Sequence, residues 1–254
     1  MRLASGFALV CAAAIMCVSP AFAAFTTVNP PTYANEDSHA QILSTVYGGS
    51  FSSTGSLGLD YTNGSITALR IEDTLDLSSV PTGLTPQGSA LPTLASDDQL
   101  WQADFQSASA KAIFASFSQQ FGYIDGASGG TYTNLFNSSG TGYGVTGSID
   151  LSALSGHLLR WARNGDNGVE SSQNSDNLDG LDHMVTYSIQ GLNNGLQTWL
   201  VFFEDLRSGQ QYADFDYNDL VVQITALPVP EPTAMAGLLA AASLGFGLRR
   251  RKQT

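Results

Sequence analysis

Apolar side chains recur along most of this chain at every second position, in short runs that Gly, Asn and Asp interrupt. Residues 183–190 alternate in this way, residues 199–203 are apolar throughout, and residues 220–224 are again apolar at every second position. Alternation predicts a strand with one buried face, and an unbroken apolar run predicts a central strand buried on both faces. The pattern therefore predicts an all-β fold, a jelly-roll-like β-sandwich.

The first half of the chain shows the same pattern less regularly. Residues 24–40 lack periodicity and predict an extended arm, and strand patterning begins at Gln41. The dipeptide Asn63-Gly64 predicts a hairpin turn. Residues 110–123 keep aromatic and apolar side chains on one side at period two, which predicts a single strand there.

The first 23 residues have the organisation of a secretory signal peptide. Arg2 is their only charge, an apolar stretch follows over 7–18, and Ala21-Phe22-Ala23 provides a small-residue cleavage site. Cleavage before Ala24 removes both cysteines of the chain, so the mature body has no disulfide and no cysteine-based metal site.

The other end of the chain has three consecutive features. A short motif, Val229, Pro230, Glu231 and Pro232, precedes an apolar run over 233–248. The basic residues Arg249, Arg250, Arg251 and Lys252 follow at once, which favours a cytoplasmic C-terminus. The run is 16 residues long, slightly short of the roughly 20 that cross a bilayer core. We therefore predict a single transmembrane helix over 233–248.

Together, residues 229–252 resemble the PEP-CTERM signal that exosortase enzymes of Gram-negative bacteria recognise. The resemblance implies that exosortase is a processing partner and that the inner-membrane anchor is transient. It also implies that the body ends at the cell surface or in the extracellular matrix of a biofilm.

The body between the two ends is strongly acidic. Residues 24–232 contain five basic residues against all 22 acidic residues, a net charge of −17, compared with −12 for the whole chain. Phosphate binding needs clustered Lys and Arg, so this balance argues against nucleic acid as a partner. An acidic exported body suits an environment in which calcium can neutralise carboxylates.

Acidic residues cluster where the last three strands begin or end. In an extended segment Asp214, Asp216 and Asn218 project to one side, and Asp219 projects to the other. Calcium accepts such carboxylate and amide oxygens, but Asp219 and Thr225 replace the Gly and Glu of an EF-hand loop, which excludes that motif. Turn and cap formation is the alternative explanation for these residues.

Three blocks, 179–187, 199–206 and 214–222, resemble the family catalogued as domain of unknown function 4114. The resemblance covers roughly residues 140–226, which we predict to form a domain, and leaves 24–139 as an N-terminal β-rich region. It implies a role at the cell surface and supplies no reaction. By similarity, a calcium ion is expected on Glu204, Asp205, Asp214, Asp216, Asn218 and Asp219, with Asp179 and Asp182 as further contributors.

Few residues point to catalysis. No G-x-S-x-G elbow is present, and His183 is expected to bond a neighbouring carboxylate. We therefore predict a non-enzymatic, calcium-stabilised surface protein that contacts exopolysaccharide or other surface proteins. The alternative is a carbohydrate-binding module for exopolysaccharide, in which Trp101 or Trp161 forms a sugar platform, although a core position is favoured for Trp161. A polysaccharide-cleaving enzyme is a further alternative, because paired carboxylates also serve glycosidases.

Overall fold

The computed structural model describes residues 25–55, 59–71 and 98–228. The predicted signal peptide (1–23) and sorting tail (229–252) lie outside these ranges. Within them, no helix is long and apolar enough to cross a membrane.

One α-helix and twelve strands make up the described part of the chain. The helix α1 spans His39–Tyr47. The first six strands are β1 (Ser52–Thr54), β2 (Asp60–Thr62), β3 (Thr67–Arg70), β4 (Phe105–Ala112), β5 (Gln119–Asp125) and β6 (Tyr132–Ser138). The others are β7 (Ser148–Asp150), β8 (Leu159–Gly165), β9 (Gly168–Ser171), β10 (Met184–Gln190), β11 (Gln197–Phe203) and β12 (Leu220–Ala226). Short 3₁₀ turns lie at Ser152–Leu154 and Asn174–Asp176.

The strands form two antiparallel sheets, as a β-sandwich requires. The larger sheet has the order β1-β2-β3-β10-β11-β12-β4-β7, and the smaller has the order β6-β5-β8-β9. Strands from both sides of residue 140 pair with one another, as β3 does with β10 and β5 with β8. The predicted all-β class is confirmed.

The larger sheet is buried on both faces at its centre. Along β11, Trp199, Val201 and Phe203 pack between the two sheets, while Leu200 and Phe202 pack toward α1. The molecule therefore has three layers, with α1 and the N-terminal arm on one side of the large sheet and the small sheet on the other. This arrangement confirms the prediction that 199–203 is a central strand buried on both faces.

Two predicted strands differ from the structure. The segment from Gln41 is helical, because Ile42, Leu43, Val46 and Tyr47 lie at helical spacing and cover the large sheet. The stretch 110–123 is not one strand: β4 ends at Ala112 and β5 begins at Gln119, in the other sheet. Apolar residues continue to alternate through the connection between β4 and β5, so the alternation does not show where the chain passes from one sheet to the other.

The three tryptophans do not form a sugar platform. Trp101, Trp161 and Trp199 are all 0% exposed and lie in the core between the sheets. Trp101 makes edge contacts with both of the others, at ring-centroid distances of 6.2 and 5.5 Å. The proposed platform role of Trp101 and Trp161 is therefore wrong, because inter-sheet packing removes both indoles from solvent.

Candidate metal centre

The pairing of β11 with β12 brings two acidic segments to one end of the sandwich. Phe203, the last residue of β11, pairs with Leu220, the first residue of β12. Glu204 and Asp205 follow the first strand and residues 214–219 precede the second, so the two segments lie side by side. Because each acidic segment adjoins one of these two strands in the sequence, the pairing of β11 with β12 is what brings the segments together.

The first carboxylate group contains Glu204, Asp205 and Asp219. Each contributes one oxygen, and these oxygens all lie within 4.8 Å of one another. Glu204 is 0% exposed, Asp205 is buried and Asp219 is half-buried. Three carboxylates therefore converge at the end of a buried strand pair, as a hard cation requires of its ligands.

Backbone and amide donors fix the orientation of this first group. The Asp205 N–H donates to Asp219 Oδ2 at 2.8 Å, and Gln119 Nε2 donates to Asp205 Oδ2 at 2.7 Å. The Leu206 N–H donates to Glu204 Oε1 at 3.2 Å. Glu204 Oε2 is buried and accepts no hydrogen bond from any described residue. A buried carboxylate oxygen without a donor is costly, and a bound cation would satisfy it.

The second carboxylate group contains Glu36, Asp214 and Asp216. Their nearest oxygens also lie within 4.8 Å of one another. Asp216 is buried and the other two are half-buried. The sequence analysis missed Glu36, which comes from the N-terminal arm nearly 180 residues before its partners. The only local indication is the acidic pair Glu36-Asp37 just before the helix, which has no periodicity to place it.

The backbone of the second acidic segment is curled and not extended. Phe215 and Tyr217 have φ angles of +56° and +58°, in the left-handed region that non-glycine residues rarely adopt. Packing holds the Tyr217 ring in the layer under α1, and its hydroxyl donates to the Asp182 carbonyl oxygen at 3.1 Å. The curl leaves Asp214 and Asp216 in one group and Asp219 in the other.

Burial and mutual repulsion make these carboxyls difficult to ionise. Burial first, and then the neighbouring carboxylates, raise the pKa of Glu204 to about 8. Burial and the Asp214 charge raise the pKa of Asp216 to about 7. The pKa of Asp219 also lies well above its ordinary value, through burial and the charges of Asp205 and Glu204.

The two groups also affect each other. Asp214 and Asp216 contribute to the raised pKa of Glu204, and Asp205 contributes to the raised pKa of Glu36, for which burial is the main cause. Burial likewise raises the pKa of Asp205, although the nearby Arg163 guanidinium opposes that rise. Six carboxylates with at most one nearby cationic side chain therefore form one electrostatic unit.

Three other predicted ligands, Asn218, Asp182 and Asp179, are not members of the two carboxylate groups, although Asn218 adjoins the second. Asn218 is buried, and its Nδ2 donates to Asp216 Oδ2 at 2.5 Å. Asp182 Oδ1 accepts the Met184 N–H at 3.0 Å, as a strand-initiating turn does. Asp179 contacts His183 Nε2 at 3.1 Å, which confirms the expected bond between that histidine and a carboxylate.

Asp179 differs from the clustered carboxylates in its electrostatics. Burial would raise its pKa, but N–H donors from Ser208 and Leu181, together with His183, outweigh burial and lower it. Asp179 is therefore satisfied by protein donors, and the two converging groups are the candidate cation ligands.

A cleft of about 410 Å³ opens beside both groups. Glu36, Asp205, Asp214 and Asp219 line it together with aromatic side chains. Among the aromatic residues, Tyr33, Phe117 and Tyr212 are 40%, 39% and 66% exposed. The cleft thus joins carboxylate oxygens to accessible aromatic faces.

Comparisons with solved structures give two lectins at low similarity. A high-affinity mannose-binding lectin of Ralstonia solanacearum is 19% identical, with a TM-score of 0.32 over 50% of this chain and 91% of the lectin chain. The C-terminal domain of the BC2L-C lectin from Burkholderia cenocepacia is 13% identical, with a TM-score of 0.31 over 52% of this chain and 97% of that domain. At these TM-scores neither comparison bears on function.

A search of curated proteins finds no match. A family match covers residues 153–226, which contain both acidic segments that adjoin β11 and β12 and leave Glu36 outside. The chain is therefore similar over that stretch to the family described as a domain of unknown function, DUF4114.

Proposed function

We propose that this chain is an exported, non-enzymatic protein of the cell surface or biofilm matrix whose acidic sandwich end binds calcium. The observation that carries the proposal is the group formed by Glu204, Asp205 and Asp219. Its three oxygens converge within 4.8 Å, and one buried carboxylate oxygen of Glu204 has no hydrogen-bond donor among the described residues.

Calcium suits this group better than the other common metals do. The donors are hard carboxylate oxygens, which calcium accepts in numbers of six to eight together with other oxygen ligands. A divalent cation would also relieve the carboxylate repulsion that, after burial, raises the pKa of Glu204. Magnesium binds fewer carboxylates and demands a stricter octahedral geometry.

A calcium titration followed by thermal melting tests the proposal. Calcium that binds only the folded state stabilises it by about 2.7 kcal/mol at a concentration of 100 times Kd. We expect the Tm to rise with millimolar calcium relative to chelator, and not with sodium at matched ionic strength. The variant Asp125→Asn, an exposed carboxylate away from the groups, serves as the control and should respond like the wild type. An unchanged Tm up to 10 mM calcium would overturn the proposal.

Export and processing are supported by the two ends of the sequence. Residues 1–23 provide the secretory pattern, and residues 229–252 provide the sorting motif, apolar run and basic stop. Expression in a host with and without its exosortase, followed by mass spectrometry of the released body, tests this part. Processing predicts a body without residues 1–23 and cut near Pro230-Glu231-Pro232. A chain that keeps its tail in the presence of exosortase would contradict it.

Carbohydrate binding is the second candidate function, favoured by the aromatic residues of the cleft. Tyr33, Phe117 and Tyr212 expose ring faces beside carboxylates in a cleft of about 410 Å³. Concave sites that combine aromatic faces with a few polar groups are typical of small-ligand binding. Sugar rings present C–H faces to aromatic rings and hydroxyls to carboxylates, so an exopolysaccharide segment matches this lining.

A glycan array with two matched variants tests the second candidate. Tyr212→Ala should remove most of the binding, because this ring is exposed and lines the cleft. Leu178→Ala, which removes an exposed apolar side chain outside the cleft lining, should not. Equal binding by both variants would rule out the cleft as the sugar site. Release of reducing sugar from any bound polymer would instead indicate an enzyme.

A further inference from the structure

The N-terminal arm, residues 25–38, is held against the segment 214–219. The Asn29 N–H donates to the Phe215 carbonyl oxygen at 3.0 Å, and the Asn218 amide donates to the Asp37 carbonyl oxygen at 3.3 Å. The arm contains no strand, but Asn29 Nδ2 also donates to the Asp214 carbonyl oxygen at 2.5 Å, and Val28 packs against the core beneath the helix. A segment held by isolated contacts, without the hydrogen-bond ladder of a sheet, opens more easily than the sheets do, so an added interaction at its docking position would slow its opening.

The contact between Glu36 and this segment is repulsive as it stands. Glu36 from the arm meets Asp214 and Asp216 with oxygens within 4.8 Å of one another. None of the Arg or Lys side chains in the described ranges forms an ion pair with any of the three. The arm therefore brings a third carboxylate to the position where it docks.

A buried amide oxygen provides independent evidence for a ligand at this position. Asn218 is 1% exposed, its Nδ2 lies 2.5 Å from Asp216 Oδ2, and its Oδ1 accepts no hydrogen bond from the described residues. The nitrogen and oxygen of an amide are roughly 2.3 Å apart. Asn218 Oδ1 therefore lies within roughly 5 Å of the Asp216 carboxylate, and amide oxygens are ordinary calcium ligands.

We infer that a second divalent cation, held by Glu36, Asp214 and Asp216 with the Asn218 amide oxygen, fastens the N-terminal arm to the sandwich and releases it on removal. The inference rests on the proposed calcium function and adds a site and a consequence. Tyr33 and Asn35 belong to the arm and line the cleft. The cation thus completes one wall of that cleft, and the cleft loses this wall without it.

Hydrogen–deuterium exchange of the full-length chain in detergent tests the clamp. Exchange of the arm peptide 25–38, which includes the Asn29 amide, is compared in 5 mM calcium and in chelator. We expect calcium to slow it by at least tenfold, and Glu36→Gln to abolish most of that protection. The control is Asp37→Asn, which makes the same change of charge one residue away and keeps a side-chain oxygen that can accept the Tyr143 hydroxyl. It should keep the calcium protection.

Each outcome separates this inference from the proposed function. If calcium raises the Tm of the wild type but leaves arm exchange unchanged, the clamp is wrong and the calcium function stands. If Glu36→Gln and Asp37→Asn respond alike, the clamp is also wrong. If calcium changes neither the Tm nor the exchange, the proposed function itself fails. A calcium-induced Tm rise that persists in Glu36→Gln, together with lost arm protection, supports two separate cation positions.

Discussion

Replacing Glu204 by Gln is expected to stabilise this protein without calcium and to weaken its stabilisation by calcium. Burial raises the pKa of Glu204 from 4.5 to about 8, so the folded protein at pH 8 bears an unfavourable buried charge. Each pKa unit corresponds to about 1.4 kcal/mol, which limits the cost of ionising this group to about 4 kcal/mol at that pH. Glutamine keeps the shape of the side chain and can still accept the Leu206 N–H.

In chelator at pH 8 we therefore expect Glu204→Gln to stabilise the protein by about 2–4 kcal/mol. A domain of this size gains about 2–4 °C in Tm per kcal/mol, so the rise should be about 4–16 °C. In 5 mM calcium the variant lacks one carboxylate ligand, and its calcium-induced rise should be less than half that of the wild type. Differential scanning calorimetry in the two buffers measures both effects.

Glu170→Gln is the matched control for this substitution. Glu170 is also fully buried, but its carboxylate accepts a hydrogen bond from Arg207 Nε. Removing one partner of a buried ion pair costs about 3–5 kcal/mol, so this variant should lose stability equally in both buffers. The reasoning is refuted if Glu204→Gln also destabilises the protein in chelator, because its carboxylate would then have a favourable partner.

Three further predictions concern the whole molecule. The metal-free protein should lose stability as the pH rises from about 4 to 8, because the raised pKa values of Glu204 and Asp216 favour their neutral forms in the folded state. Measurement of the Tm in chelator across this pH range checks the prediction. A constant or rising Tm contradicts it. Gly122→Ala should lower the free energy of unfolding in urea by about 1–3 kcal/mol, because a Cβ there would lie 2.1 Å from the Thr133 carbonyl oxygen. An unchanged urea midpoint would mean that β6 shifts to accommodate the methyl group without loss of stability. Trp161→Ala should lower the free energy of unfolding by about 3–5 kcal/mol in the same assay, since the indole fills the core between the sheets. If Trp161 had a surface role, the free energy of unfolding would stay within about 0.5 kcal/mol of the wild type.

Period-two alternation is sufficient to predict the last three strands of the fold. The strands β10, β11 and β12 fall within one or two residues of the predicted runs, because each has a side chain pattern set by one or two buried faces. The same rule fails at Gln41, where a four-residue spacing of apolar side chains marks a helix. It also fails across 110–123, because alternation does not record which sheet a residue joins.

The candidate site is predictable only where its residues are close in the chain. Glu204, Asp205 and Asp219 flank two consecutive strands, so hairpin pairing brings them together. Glu36 meets Asp214 through docking of the arm on the outer face of the large sheet, a contact that no local pattern specifies. The aromatic residues of the cleft escaped prediction for a similar reason, since Tyr33 and Tyr212 adjoin only in the folded chain.

The three-layer architecture explains why carboxylates at a strand end become so difficult to ionise. Strand-end loops of a two-layer sandwich normally reach solvent, but the arm and α1 cover one face of β11 and β12 and the small sheet covers the other. Glu204 and Asp216 are therefore desolvated by different layers, Glu204 at the end of a doubly buried strand and Asp216 beneath the arm. Release of the arm would expose Asp216 to solvent and leave Glu204 buried. Calcium, if it binds the first group as proposed, would be linked to arm docking at the second mainly by the Coulomb repulsion between the two groups. A cation at either group would lower the cost of charge on the carboxylates of the other.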